Sequence, residues 1–164
     1  MTEVDVEYAV AFADRVGATT GLRHWDPRGA QLFALYDGEL GYSAEPVAGG
    51  FALHLRNRGG GGEIGVASHV DDVLRLLAID VGWTAEIGLM RWGAPRGFAY
   101  EEAARGVVAR WEDRSGAERA VSVRGGSNAR DTALKLGTWA LKDLDEIVDL
   151  VEEAHRRREE RRTR

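Results

Sequence analysis

The chain has 164 residues, 44% hydrophobic and 30% charged, enough apolar material for one folded domain and too much for a disordered chain. It contains no cysteine, which excludes a disulfide scaffold, a thiolate nucleophile and a zinc–cysteine site. The net charge of −5 is unevenly spread: Arg156 to Arg164 holds six arginines and two glutamates, and the 155 residues before them carry −9. An acidic body of that kind argues against a nucleic-acid partner, because neutralising phosphates takes clustered Lys and Arg.

The first residues, Met1 to Glu7, are acidic, whereas a signal peptide starts basic and turns apolar. No apolar run reaches bilayer length, so the expectation is a cytoplasmic protein with no membrane contact. Val4 to Val16 reads as an amphipathic helix, with Val4, Tyr8, Phe12 and Val16 on one face and Gly17 as its stop. Gln31 to Tyr36 is a β-type run ending in the turn signal Asp37-Gly38. Leu40 to Ala44 pairs back onto it before Pro46 and Gly49-Gly50 break the chain.

Phe51 to Arg56 alternates, with Phe51, Leu53 and Leu55 on one side and Ala52, His54 and Arg56 on the other. Four glycines, Gly59 to Gly62, then predict a loop with no side chains at its tip, and Ile64 to Ala67 is its return strand. The result is a meander of four short strands. Gly60 to Gly65 matches the letters of a dinucleotide fingerprint, but β-type residues follow instead of a helix and position 85 is alanine instead of an acid. No cofactor is expected.

Ser68 reads as an N-cap, opening a helix to about Asp80 that buries Val70, Val73, Leu74 and Leu77. Trp83 to Trp92 is ambiguous. Gly106 to Glu112 and Ala120 to Arg124 form a second alternating pair around the turn Asp113 to Gly116, with Trp111 on the core side beside Val107 and Ala109. After a loop over Gly125 to Asn128, Asp131 to Ala140 is helical. Asp143 then caps a last helix, with Glu146 in the capping-box position and a stripe of Leu144, Ile147, Val148, Val151 and Ala154. The predicted architecture is one α+β domain over residues 1–155, an antiparallel sheet of short strands packed with an N-terminal, a middle and C-terminal helices. Residues 156–164 are an Arg-rich helix end or tail.

No residue set is expected to be catalytic or to hold a metal. The four histidines lack the i, i+4 spacing of a zinc helix, and the serines sit at turns, caps and strands. His24 beside Asp26 is a possible histidine–acid pair and His69 precedes Asp71 and Asp72, and Glu101-Glu102 and Glu152-Glu153 read as solvated helix or loop acids. A small hydrolase or transferase built on His24 or His69 is the least supported reading. Of the five tryptophans, Trp25 and Trp92 stand beside Arg, Asp and Gly in irregular segments and are the expected exposed ones, the kind of anchor that protein interfaces use.

Several segments, in order, resemble immunity protein family 61 of bacterial polymorphic toxin systems. They are Leu32 to Tyr36, Arg56 to Gly60, Asp72 to Leu77, Gly106 to Glu112 with Ala120 to Val123, Leu136 to Leu141, and Leu144 to Ile147. The chain departs from the family pattern in its charged extension from Ala154 to Arg164. The resemblance implies a non-catalytic antitoxin that binds a cognate secreted toxin, of which an NAD glycohydrolase is the type, and occludes its active-site cleft. The expected contact residues are Arg56, Asn57, Arg58, Gly59, Gly60, Gly61, Gly62 and Glu63, with Trp25 and Trp92. The alternative is a cytoplasmic secretion chaperone or another protein-binding module.

Overall fold

Alternation along the strands gives one sheet two unlike faces. The computed structural model describes residues 6–83, 95, 97–125 and 128–163, and the expectations for Val4, residues 84–92 and residues 126–127 lie outside them. Helix α1 (Val6–Ala18) leads into a two-residue strand β1 (Arg23–His24), then β2 (Phe33–Tyr36), β3 (Leu40–Val47), β4 (Gly50–Asn57) and β5 (Gly60–Ala67). Helix α2 (Val70–Trp83) precedes β6 (Ala99–Ala103), β7 (Gly106–Glu112) and β8 (Glu118–Arg124), and α3 (Ala129–Trp139) and α4 (Leu144–Arg162) close the chain. The strands form one eight-stranded antiparallel sheet in the order β1-β2-β3-β4-β5-β8-β7-β6. The fold is a single α+β domain.

One register row, Phe33–Ala44–Leu53–Gly65–Val123–Val107, crosses six strands and is buried throughout. That face carries the helices. A Cβ on Gly17 of α1 would lie 2.9 Å from Leu35 Cδ1, and one on Gly65 would lie 3.1 Å from Leu76 Cδ1 of α2. Gly17 is therefore a packing residue as well as the end of α1: the helix stops one residue later at Ala18, and the Gly17 carbonyl accepts the Thr20 and Leu22 N–H groups. Trp111 faces inward with Val107 and Ala109, as its alternation requires, and packs 6.2 Å from Phe98.

Helix α2 is buried on nearly every side. The four expected positions are joined by Leu76, Ala78, Ile79 and Val81, and by Asp72 and Arg75. An all-round buried helix is the central helix of its layer. Ser68 does not cap it; its hydroxyl accepts the Ala120 N–H at 3.2 Å and so ties the start of α2 to β8. Helix α4 buries Leu144, Ile147, Val148 and Val151, and Arg15 of α1 clamps it by donating to Glu152 at 2.9 and 3.0 Å. Its basic end continues helically to Arg162, laced by pairs such as Arg157–Glu153 at 2.6 Å.

Several sequence expectations change. The Gly59 to Gly62 loop is not a loop: Gly60, Gly61 and Gly62 are ladder residues of β5, paired with Asn57, Arg56 and Leu55. Only Arg58 and Gly59 turn, with φ of 25° and 87°, the positive pair that a tight two-residue hairpin needs. Pro46 does not end β3, because β2 pairs only as far as Ala44 and the missing Pro46 N–H is not needed on that side. Glu101 and Glu102 are exposed strand residues of β6, not helix or loop acids. Tyr8 is 37% exposed, and α1 buries Ala9, Phe12, Ala13 and Val16 instead.

Candidate functional site

The face of the sheet opposite the helices gathers most of the expected contact residues. A second register row, Tyr36–Gly41–Arg56–Gly61, runs across β2, β3, β4 and β5. Tyr36 lies over Gly41, where a Cβ would sit 2.9 Å from the Tyr36 ring. The Arg56 guanidinium stands over the same ring, 6.0 Å from its centroid, a cation–π geometry. Trp25 meets Tyr36 edge-on at 5.7 Å and 74°, and its backbone N–H donates to Ala34 O at 2.9 Å, extending β1 by one bond. Trp25 remains 50% exposed.

Two stretches 31 residues apart in sequence, Trp25 and Arg56, are thus joined through one aromatic ring. Tyr36 is the residue that sequence reasoning missed. Its hydroxyl donates to Gly38 O at 2.5 Å, which holds the ring against the turn. Asp37 fastens that turn by accepting the backbone N–H groups of Leu40 and Glu39, and those bonds hold its carboxyl below the usual range. Arg58, Asn57 and Gly59 to Gly62 are exposed around the hairpin end. Arg58 is committed to Glu39, and Glu63 to Arg124 of β8. Arg56 has no carboxylate partner among the described residues. Trp92 lies outside the described residues.

On the same face His54 lies 3.1 Å from Glu45. His24 pairs with Asp14 at 3.3 Å and not with Asp26. The His69 ring nitrogen Nδ1 sits 2.9 Å from Ser68 Oγ. Among the described residues no three His, Asp or Glu side chains gather as a metal site.

The other polar concentration lies at the N-terminal end of α2. A cavity of about 240 Å³ is lined by Arg75, Arg119, Asp113, Arg114, Lys142 and Asp143, among others. Its floor is a buried ion-pair network in which Asp72 Oδ2 and Arg119 Nε face each other at 3.6 Å without a hydrogen bond. Arg75 donates to Asp72 at 2.9 Å, to Trp139 O at 3.2 Å and to Lys142 O at 2.9 Å. Arg119 lies within 3.6 Å of Asp71 and Asp72 and 3.4 Å of Asp113. Burial pushes the Asp72 carboxyl up, and Arg119 and Arg75 pull it back. Asp113 accepts from the Ser115 hydroxyl and from the Ala117 and Ser115 N–H groups, and its carboxyl is lowered. Every arginine of this cavity is engaged with the chain itself. Only the Asp72–Arg75 spacing of three was visible in the sequence, and nothing in it marked the pair as buried.

The chain matches no protein-family model, and no curated protein matches it. A solved structure, Rv3902c from M. tuberculosis, is similar in fold, with a TM-score of 0.60 and 16% identity over 91% of this chain and 91% of that one. At that identity the likeness concerns the fold alone. Among the described residues no helix is long and apolar enough to cross a membrane.

Proposed function

We propose that this protein is a non-catalytic immunity protein that binds a secreted toxin and blocks its active-site cleft. The observation that carries the reading is the Trp25–Tyr36–Arg56 line, exposed at Trp25 and Arg56 and half-buried at Tyr36, beside the bare β4–β5 hairpin end. Tryptophan, tyrosine and arginine are the residue types in which binding energy concentrates at protein interfaces. An arginine whose internal partner is a ring, with no carboxylate among the described residues, keeps its charge available to an acid on another protein. The ordered resemblance to immunity protein family 61 supplies the class of partner, and an NAD glycohydrolase is the type it suggests.

Blocking by occupancy needs no bond-breaking chemistry in the inhibitor. It needs a surface of roughly 800 Å² per partner, so the hairpin end and the outer face must act together. The test is co-expression with the protein encoded by the neighbouring gene, followed by co-purification and assay of NAD loss. The expected result is a stable complex in which NAD consumption falls to background at one inhibitor per toxin. A complex that leaves the activity intact would instead favour a secretion chaperone, and the lack of any complex would contradict the reading.

A further inference from the structure

The glycines of β5 are of two kinds. Gly61 and Gly65 are required by the fold itself: a Cβ at 61 would lie 2.6 Å from Leu55 O, and one at 65 would lie 2.5 Å from Ser122 O. Gly60 and Gly62 are not. A Cβ at 60 would meet Asn57 O at an ordinary 3.6 Å, and one at 62 would meet nothing within 4 Å. Neither has the positive φ that favours glycine. Glycine inside a strand weakens it, and a common reason to keep it is the close approach of another backbone.

The same residues form an open edge. Strand β8 pairs with β5 only from Gly65 to Ala67, and the chain turns away past Arg124 at Gly125, where φ is 104°. From Gly60 to Glu63, β5 therefore has β4 on one side and no strand on the other among the described residues. Across a two-residue hairpin the flanking residues Asn57 and Gly60 form a hydrogen-bonded pair, and Leu55 with Gly62 forms the next. The N–H and C=O groups of Gly61 and Glu63 then point away from β4. Proteins usually guard such an edge with charge, proline or cover, and residues 60–62 carry no side chain at all.

We propose that this edge receives one extended strand of the partner protein, hydrogen-bonded to Gly61 and Glu63 and carrying a carboxylate on the Arg56 face. The proposal rests on the reading of the chain as a partner-blocking protein. Gly61 belongs to the Tyr36–Gly41–Arg56 row, so an added strand continues the surface already described. Because Gly61 has no side chain, nothing separates Arg56 from a residue on the incoming strand one position further out. A second copy of this chain is the weaker occupant: a four-residue edge is a small part of the roughly 800 Å² per partner that a stable dimer needs, and it acquires that area only with a partner that also covers Trp25 and Tyr36.

The probe is the protein encoded by the neighbouring gene, unlabelled, added to the ¹⁵N-labelled chain, with amide exchange followed by NMR. In the free protein Gly60 and Gly62 amides should exchange slowly and those of Gly61 and Glu63 fast. In the complex the Gly61 and Glu63 amides should slow by at least tenfold. Gly62→Thr should fold with an unfolding midpoint no lower than that of the unaltered chain yet bind at least tenfold more weakly. A complex that forms and inhibits while Gly61 and Glu63 exchange as before would overturn the edge proposal and leave the immunity reading standing. The absence of any complex would remove both. Slowing of those amides in the isolated protein with rising concentration would assign the edge to self-association and overturn the proposal.

Discussion

The two arginine sites of this protein are opposites. At the N-terminal end of α2, Arg75 and Arg119 are held among Asp72, Asp71 and Asp113 and two backbone carbonyls, and Arg75 is only 6% exposed. On the outer face, Arg56 is exposed and rests on the Tyr36 ring. The first site pairs each of its guanidinium groups with the chain's own acids, although Asp72 Oδ2 and Arg119 Nε stop short of a hydrogen bond, and so holds α2, α3 and the β7–β8 turn together. The second leaves charge and ring unfinished next to a backbone without side chains. Pairing with the chain's own acids is what separates a structural arginine from one poised for a partner; burial does not, since Arg114 pairs with Asp143 and stays 70% exposed.

The largest effect that would sharpen the contrast is at Asp72, which is fully buried. Asp72→Ala strands two guanidinium groups and should cost about 3–5 kcal/mol in stability, read by denaturant unfolding. Partner affinity measured on the folded fraction should stay unchanged. Trp25→Ala or Arg56→Ala should do the reverse, weakening the partner complex by about 2 kcal/mol each, roughly thirtyfold, with little change in the unfolding midpoint. If either variant unfolds the protein instead, the outer cluster is structural and the contrast breaks.

Acid supplies a smaller effect. The Asp113 and Asp37 carboxyls are held below their ordinary range by the Ser115 hydroxyl and by backbone N–H groups respectively. Their stabilising contribution is fully present above the unfolded-state value, about pH 4, and is lost as pH falls through the lowered folded values. Asp72 has the opposite sign: burial raises it, so between the two values the folded state holds a proton the unfolded state has released, and stability falls as pH rises there. Asp113→Asn should flatten the loss of thermal midpoint below pH 4. The smallest effect is at Gly62, where Gly62→Ala should move stability by no more than about 0.5 kcal/mol, because the added methyl meets open space.

The α+β plan was legible because its signals are periodic. Phe51, Leu53 and Leu55 alternate against Ala52, His54 and Arg56, and Val107, Ala109 and Trp111 repeat the pattern. The glycine run misled because a strand without side chains has no period to read. Its turn also hid behind Arg58, a non-glycine residue at positive φ. Pairing to β4 made Gly60 to Gly62 a strand, and that information is held in Leu55, Arg56 and Asn57. Tyr36 was read only as the end of a strand. Its role depends on the cross-strand register that sets it beside Gly41 and Arg56, which no local window contains. The edge strands β1 and β6 were missed because β1 has only two residues and β6, Ala99–Ala103, is exposed along nearly its whole length and buries no alternating apolar row. Burial of Asp72 and Arg75 follows from α2 being covered on all sides, a tertiary outcome.

The most direct measurement is titration calorimetry of the neighbouring-gene protein into three versions of the chain: unaltered, Trp25→Ala/Arg56→Ala, and Arg114→Ala at the internally paired cavity. The double variant should lose at least a hundredfold in affinity while Arg114→Ala stays within twofold. Full affinity in the double variant, or a large loss only on altering Arg114, would contradict the assignment of the outer face as the partner surface.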